Sequence, residues 1–367
     1  MNRRQFAIAM AGAPAIVRAA GRDDTWKDVP HWMEVACVPG AVVAVIEKGS
    51  VAAIHPFGVR RAEQSDPIGP NTVFEAASLS KPVFATAVLR LVEKKELDLA
   101  RPLAEIVPLA DHPRAKLITA RHVLSHSSGL QNWRNRDTDQ LQFAFPPGER
   151  FSYSGEGYFH LQRVVEKVTG KPFARYMQET VLEPLGMSRS NYVRKDEPDS
   201  ATPHGSRGKP IEPFSITTGK KLSEIAREWK KPVEDWTYED VERAMPLVKL
   251  PVLPNYMLPN AAASLVTTAT DYSKFLLHSF SIDVMRQPQV KINSDLSWGL
   301  GCGLEGSGAG QMFWHWGDNG GFKNIFIADA KARSGILVFT NGDGGAKLYQ
   351  RIVRSAVGRD FSAFLWI

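Results

Sequence analysis

The chain of 367 residues is 43% hydrophobic and 23% charged, with 45 basic and 39 acidic side chains and a formal net charge of +6. That balance belongs to a globular protein with a sizeable core, and excludes a disordered, fibrous or membrane-embedded chain. Bases and acids are interleaved, as in "VEKKELD" and "REWKKPVEDW", which marks a solvated surface and argues against a nucleic-acid partner.

In chain order, the first element is a leader. "MNRRQFAIAMAGAPAIVRAA" has a basic start, an apolar run from Phe6 to Val17, and small residues at Ala19 and Ala20. This is the layout of a secretory signal, too short to span a bilayer. Arg3 and Arg4 ahead of Gln5 and Phe6 look like a twin-arginine export signal. Residues 1–20 are therefore set apart from the fold, residues 21–367 are read as one catalytic-sized unit, and the protein is expected to be periplasmic or secreted. The leader holds three arginines and no acid, so 45 bases less three, against 39 acids, leaves +3 for the remainder. No other stretch reaches 18 consecutive apolar residues, so no membrane span is expected. Cys37 and Cys302 show neither a framework nor a metal spacing, and read as two free, mostly buried thiols.

After a short helical lead-in, "GAVVAVIEKGSVAAIHPFGVRR" (40–61) predicts two strands joined at Lys48-Gly49. "FEAASLSKPVFATAVLRLVEKKE" (74–96) predicts an apolar helix over Val83 to Val92. A mostly helical middle runs from about 98 to 290, including "ARHVLSHSSGL", "GEGYFHLQRVVEKVTG" closed by Gly170, and "PFARYMQETVLEPLGM". Between Asp196 and Asn260 Pro, Lys and Glu are abundant and periodicity is weak, which predicts a long loop with one or two short helices. "LSWGLGCGLE", "QMFWHWG", "FKNIFIADA" and "SGILVFTNG" are read as strands, with a closing helix from Lys347. Strands at both chain ends with helices between them predict an α+β fold. Its antiparallel sheet is built from N- and C-terminal strands flanked by helices, with an all-helical lobe inserted. The α/β lobe takes about 30–97 and 291–367, and the helical lobe about 98–290.

Chemistry first suggests itself at Ser78 and Lys81. Residues three apart share a helix face, and Pro82 fits the first turn of a helix. Ser78 at a helix N-terminus meets free N–H groups and a positive dipole. A lysine beside it in a crowded site would have its pKa lowered toward that of a useful base. The pair alone leaves two readings open: an activated serine, or an N-cap with a snorkelling lysine. "SRGK" at 206–209 repeats the spacing in a Gly/Pro loop with no helix to align it. His122 and His126 are spaced like zinc ligands on a helix, but no glutamate follows the first, and no metal or cofactor is expected. "GCGLEG" fits G-x-G-x-x-G, yet reads as a strand entering a Gly-rich hairpin. Trp314 and Trp316 alternate with Phe313 and His315, one read as core and the other as lining a pocket.

Four ordered segments decide between the readings of Ser78: "FEAASLSK" (74–81), "HVLSHSSGL" (122–130), "FPPGERFSYSGEGYFHLQRVVEKVTGKPF" (145–173) and "HWGDNGGFKN" (315–324). Together they resemble the serine β-lactamase and penicillin-binding-protein superfamily, in its class C β-lactamase, DD-peptidase and esterase branch. "EPLGM" at Glu183 and "AAASLVTTATDYSKF" at Ala261 are further landmarks, so the resemblance spans about 30–345. It implies that Ser78 accepts the acyl group, that Lys81 exchanges its proton, and that Tyr153 relays a proton to the leaving group. Which of Lys81 and Tyr153 is the base stays open, since coupled groups titrate as a unit. It further implies that the N–H groups of Ser78 and Asp318 form the oxyanion hole. His315, Trp316 and Gly317 stand in the third motif, where many members have Lys-Thr-Gly and many others His-x-Gly.

Two departures matter. Gly155 stands where the second motif usually carries Asn, so peptide-like or β-lactam substrates lose an anchor of about 1–3 kcal/mol. His315 offers a titratable group in place of a permanent cation, weakening carboxylate recognition above its pKa. The resemblance therefore implies an exported serine hydrolase acting on a small-molecule or peptidoglycan-derived ester or amide. An esterase or DD-peptidase is favoured over a dedicated β-lactamase. The alternative is a non-catalytic binding protein on the same scaffold, whose sign would be loss of Ser78, Lys81 or Tyr153.

Overall fold

The computed structural model describes residues 25–134, 139–194, 197–211, 214–248, 258–306 and 308–367. The leader lies outside these residues. The described elements in chain order are α1 (Val29–Ala36), β1 (Gly40–Glu47), β2 (Ser50–Gly58), β3 (Phe74–Glu75), α2 (Ser80–Glu93), α3 (Ala120–Leu124), α4 (Gly155–Thr169) and α5 (Phe173–Met177). Then come α6 (Phe214–Glu228), α7 (Tyr238–Val248), β4 (Val266–Thr267), α8 (Ala269–Ser279), β5 (Val290–Lys291), β6 (Leu296–Trp298) and β7 (Gly303–Glu305). β8 (Met312–Asn319), β9 (Phe322–Asp329), β10 (Ser334–Thr340), α9 (Gly345–Val357) and α10 (Ala363–Trp366) complete the chain.

Eight strands form one antiparallel sheet in the order β2-β1-β10-β9-β8-β7-β6-β5. The α+β architecture, with a sheet drawn from both chain ends, is therefore as expected. The reason is visible in β1: its run of apolar residues is buried on both faces, as a strand covered by helices on either side must be. Val42, Ala44 and Ile46 join the core that holds α2, α4 and α8. Ala41, Val43 and Val45 join the core under α1 and α9. Each Val or Ile so buried contributes roughly 1.5–3 kcal/mol. Lys48 (φ 50°) and Gly49 (φ 79°) turn the chain from β1 to β2, the left-handed pair that a two-residue hairpin takes. A small pairing of β3 with β4 brings residues just before Ser78 against a segment nearly two hundred residues later.

Helix α2 is buried over almost its whole length, which is why its sequence is apolar all round instead of striped. It is the post on which Ser78 stands. α4 runs as expected from the second motif to Gly170 (φ 66°), which closes it in the left-handed conformation.

Several expectations need correction. The 196–260 stretch is not loop with short helices alone: α6 has 15 residues and α7 eleven, linked by a 3-10 turn at Val233–Asp235. Residues 249–257 fall outside the described ones. The middle of the chain is less regular than "mostly helical" implies, since α3 and α5 have five residues each and α5 passes into a π turn at Gln178–Leu182. "LSWGLGCGLE" is two strands, β6 and β7, and a 3-10 turn at Gly308–Gly310 follows. Cys37 is exposed, not buried, because it ends α1 with φ 54°; Cys302 is buried, and both are free. Ser206 to Lys209 lie in a turn, so nothing aligns Ser206 with Lys209.

Candidate active site

Three distant segments converge at the head of α2. The first is a 3-10 turn, Ala77–Leu79, that feeds α2. Ala77 has φ 52°, a left-handed conformation that is unfavourable for a residue with a Cβ and clusters at functional sites. It turns the chain from β3 so that Ser78 is presented, partly exposed, at the helix entrance. Ser80 is buried, donating to Ala77 O and accepting from Leu265 N; it ties the turn down and caps nothing.

Lys81 is 1% exposed. Its Nζ donates to Ser78 Oγ at 3.1 Å and to Ala262 O at 2.8 Å, and lies 4.7 Å from the Tyr153 ring centre and 5.5 Å from that of Tyr158. Among the described residues no carboxylate pairs with it. Burial alone pushes its pKa well below the ordinary lysine value, because a dehydrated ammonium without a counter-ion is costly. Tyr158 is held by its hydroxyl on Leu124 O and belongs, as expected, to α4.

The second segment brings Tyr153. Its hydroxyl oxygen is buried and faces Ser78, which eases the phenol's ionisation slightly, but the two complete no hydrogen bond of ordinary geometry. Burial dominates and pushes the phenol well above its usual range. The residue that orients Tyr153 escaped the sequence reading. His126 does not share a helix with His122: α3 ends at Leu124, and His126 adopts φ 53°. Its ring stacks on Tyr153 at 4.1 Å, and its Nδ1 accepts from Ser154 N at 3.0 Å. Burial, then Lys81 and His315, keep it well below the usual histidine range. The only sequence signal was a histidine in a Ser/Gly-rich bend, which has no chemistry of its own.

The third segment is β8. It pairs with β7 only over Met312 to Trp314; beyond that point its edge faces the Ser78 turn. Gly317 allows the approach, since a Cβ there would fall 2.3 Å from Ala76 O. Asp318, the next residue, is exposed, and its carboxylate pairs with Lys323. His315 is completely buried on the face toward Lys81, with Nδ1 against Trp316 O at 2.7 Å. Burial first, then the Lys81 charge, lower its pKa to about 3. It is therefore neutral at all ordinary pH, and the expectation of a histidine switching near its usual pKa is corrected. Trp314 is core. Trp316 shares its strand face instead of facing the His315 side, and reaches the Tyr153 ring at 5.0 Å and Trp366 at 5.6 Å. Gly155 opens α4, two residues after Tyr153.

The described residues contain no cluster of His, Cys, Asp and Glu able to hold a metal ion. A cavity of about 780 Å³ is lined by Glu75, Arg194, Leu222, Ala263 and Val266, but not by Ser78, Lys81 or Tyr153. It lies one residue away from this cluster, since Ala262 holds Lys81 and Ala263 lines the cavity.

The beta-lactamase family matches residues 31–356. The chain belongs to this family. Among curated relatives, esterase EstB of Burkholderia gladioli is 31% identical over 205 residues, 47% of this chain and 52% of that protein. Penicillin-binding protein 4* of Bacillus subtilis (strain 168) is 30% identical over 181 residues, 44% of this chain and 39% of that protein. The matched stretch thus spans about half or less of these relatives. Among solved structures, a class C beta-lactamase superposes with a TM-score of 0.73 at 16% identity, covering 91% of this chain and 95% of its own. D-alanine carboxypeptidase AmpC from Burkholderia cenocepacia does so with 0.71 at 17% identity, covering 92% and 98%. At such identity these likenesses show the beta-lactamase and penicillin-binding-protein fold, which hosts more than one activity.

Proposed function

We propose that this protein is a serine hydrolase that cleaves a carboxylic ester or amide through an acyl-enzyme on Ser78, with esters as the preferred class. One observation carries the reading: a buried lysine with no carboxylate partner among the described residues places Nζ 3.1 Å from the hydroxyl of a half-exposed serine. An amine held that way is a base in search of a proton, and Ser78 has the one within reach. Burial lowers Lys81 and raises Tyr153, so both shifts favour the same resting pair, a neutral amine and a neutral phenol. Lys81 takes the Ser78 proton as Oγ attacks the carbonyl, and Tyr153 passes a proton to the leaving group. The N–H groups of Ser78 and Asp318 stabilise the oxyanion, each worth on the order of 10²–10³ in rate. Water then attacks the ester with the same pair as base, releasing the acid and restoring Ser78.

Esters rank first because Gly155 supplies no side-chain amide to hold a peptide-like acyl group, and because the relatives include an esterase. Incubation with a fluorophosphonate probe should label the wild type at Ser78 and spare Ser78→Ala; label that persists in the variant refutes the assignment. Turnover of a short p-nitrophenyl ester should exceed that of nitrocefin and of a D-Ala-D-Ala peptide. Action outside the cytoplasm rests on the Arg3-Arg4 leader, and cell fractionation of the full chain tests it.

A further inference from the structure

The head of α4 explains why glycine stands at position 155. Ser154 is extended (φ −140°, ψ 116°), so residues 153 and 155 project to the same side, the side on which Tyr153 meets Lys81. A Cβ on Gly155 would lie 2.1, 2.3 and 2.5 Å from Cζ2, Cε2 and Cη2 of Trp133, far inside the ~3.5–4.0 Å of a van der Waals contact. The space next to Tyr153 is therefore not vacant; a half-exposed indole fills it.

That indole is held in place. Gly155 N and Glu156 N donate to Asn132 O at 3.0 and 2.9 Å, and Gly155 N also reaches Asn132 Oδ1 at 2.9 Å. Ser154 Oγ donates to Gln131 O at 2.8 Å. Arg134 donates from both N and Nε to Glu156 Oε1 at 2.9 Å, and Glu156 is only 2% exposed. The loop 131–134 and the first turn of α4 are thus one unit, and Trp133 keeps its position when a substrate arrives.

We infer that Trp133 is a specificity-determining residue of the Ser78 site, its ring forming an apolar wall for the acyl group. The inference rests on the acyl-enzyme reading above and names its substrate class: esters of plain aliphatic or aromatic acids. An acylamido group pressed against the indole would lose water from its N–H and C=O without gaining a partner there, whereas a flat or aliphatic group gains contact area.

The test compares p-nitrophenyl butyrate with the p-nitrophenyl ester of N-acetylalanine, using kcat/KM per Ser78 titrated by a fluorophosphonate. In Trp133→Ala the butyrate-to-acetylalanine ratio should fall by about tenfold or more, the size of one lost aromatic contact plus relief of the rejected amide. Trp133→Leu, which keeps apolar bulk in the loop but removes the flat face, should shift the ratio in the same direction. Gly155→Ala should lose activity on both esters, and Trp133→Ala should restore it in the double variant, because the clash is with that ring. A ratio unchanged in both Trp133 variants that still titrate overturns the wall. Absence of fluorophosphonate labelling in the wild type overturns the acyl-enzyme reading itself, a result distinct from an unchanged ratio.

Discussion

Burying an ammonium without a counter-ion costs several kcal/mol, and Lys81 sits at 1% exposure with, among the described residues, only Ser78 Oγ and Ala262 O to receive its protons. Its folded-state pKa lies below the ordinary 10.5, so the unfolded chain binds that proton more tightly. The resulting cost to folding is full below the folded-state pKa and shrinks above it, vanishing as pH approaches 10.5. Lys81→Met keeps the side-chain length and drops the charge. It should lower kcat/KM on the order of 10³-fold while raising the thermal midpoint at pH 7, a gain that narrows toward pH 10. A Met variant no more stable than wild type at pH 7 would contradict this account. At this scale the proximity of Ser78 and Lys81 was legible, because they are neighbours in sequence and share one helix face. His126 and Trp133 were not, since each acts through a contact with a residue more than twenty positions away.

Among elements, β8 decides the geometry. Its free edge runs past the Ser78 turn only because Gly317 lets Ala76 O come close. Gly317→Ala places a methyl 2.3 Å from that carbonyl, and the strand must retreat. Since a displacement of about 1 Å can cost 10²-fold in rate, activity on a p-nitrophenyl ester should fall by roughly that factor. The affinity for an apolar product acid, read by inhibition, should change much less. Equal losses in both would mean that the strand does not position the oxyanion hole. Strands such as β8, β9 and β10 were readable as apolar runs of strand length. α6 was not: "FSITTGKKLSEIARE" carries Gly219 and a β-branched, Ser/Thr-rich start, all poor helix formers. Its helix is set by packing against α7 and the Val233–Asp235 turn, which no local propensity reports.

At the scale of the whole molecule, the two chain ends must meet for the sheet to exist. Asn341, completely buried just after β10, fastens them. Its Oδ1 accepts from Gly40 N at 2.7 Å, and its Nδ2 donates to Val59 O at 3.2 Å and Arg60 O at 2.9 Å. Its backbone O faces His204 Nδ1 at 2.7 Å. Asn341→Ala strands the buried Gly40 N and the part-buried Val59 O, at about 1–3 kcal/mol for each unsatisfied one, while Arg60 O keeps Thr202 N as a donor. Urea unfolding should show a loss of several kcal/mol with an unchanged slope, and a loss under 1 kcal/mol would remove Asn341 as the fastening.

By itself the sequence determined which fold the chain adopts and brought Ser78, Lys81 and Tyr153 forward as candidates. Apolar run length, helix-face spacing and ordered motifs are local properties, and they survive in a one-dimensional reading. Tertiary structure alone decided the state and surroundings of those residues. It made His315 neutral, exposed Cys37, set His126 against Tyr153, and filled the space beside Gly155 with Trp133. Those outcomes depend on dehydration and on volume shared between distant segments, and neither quantity exists until the chain has folded.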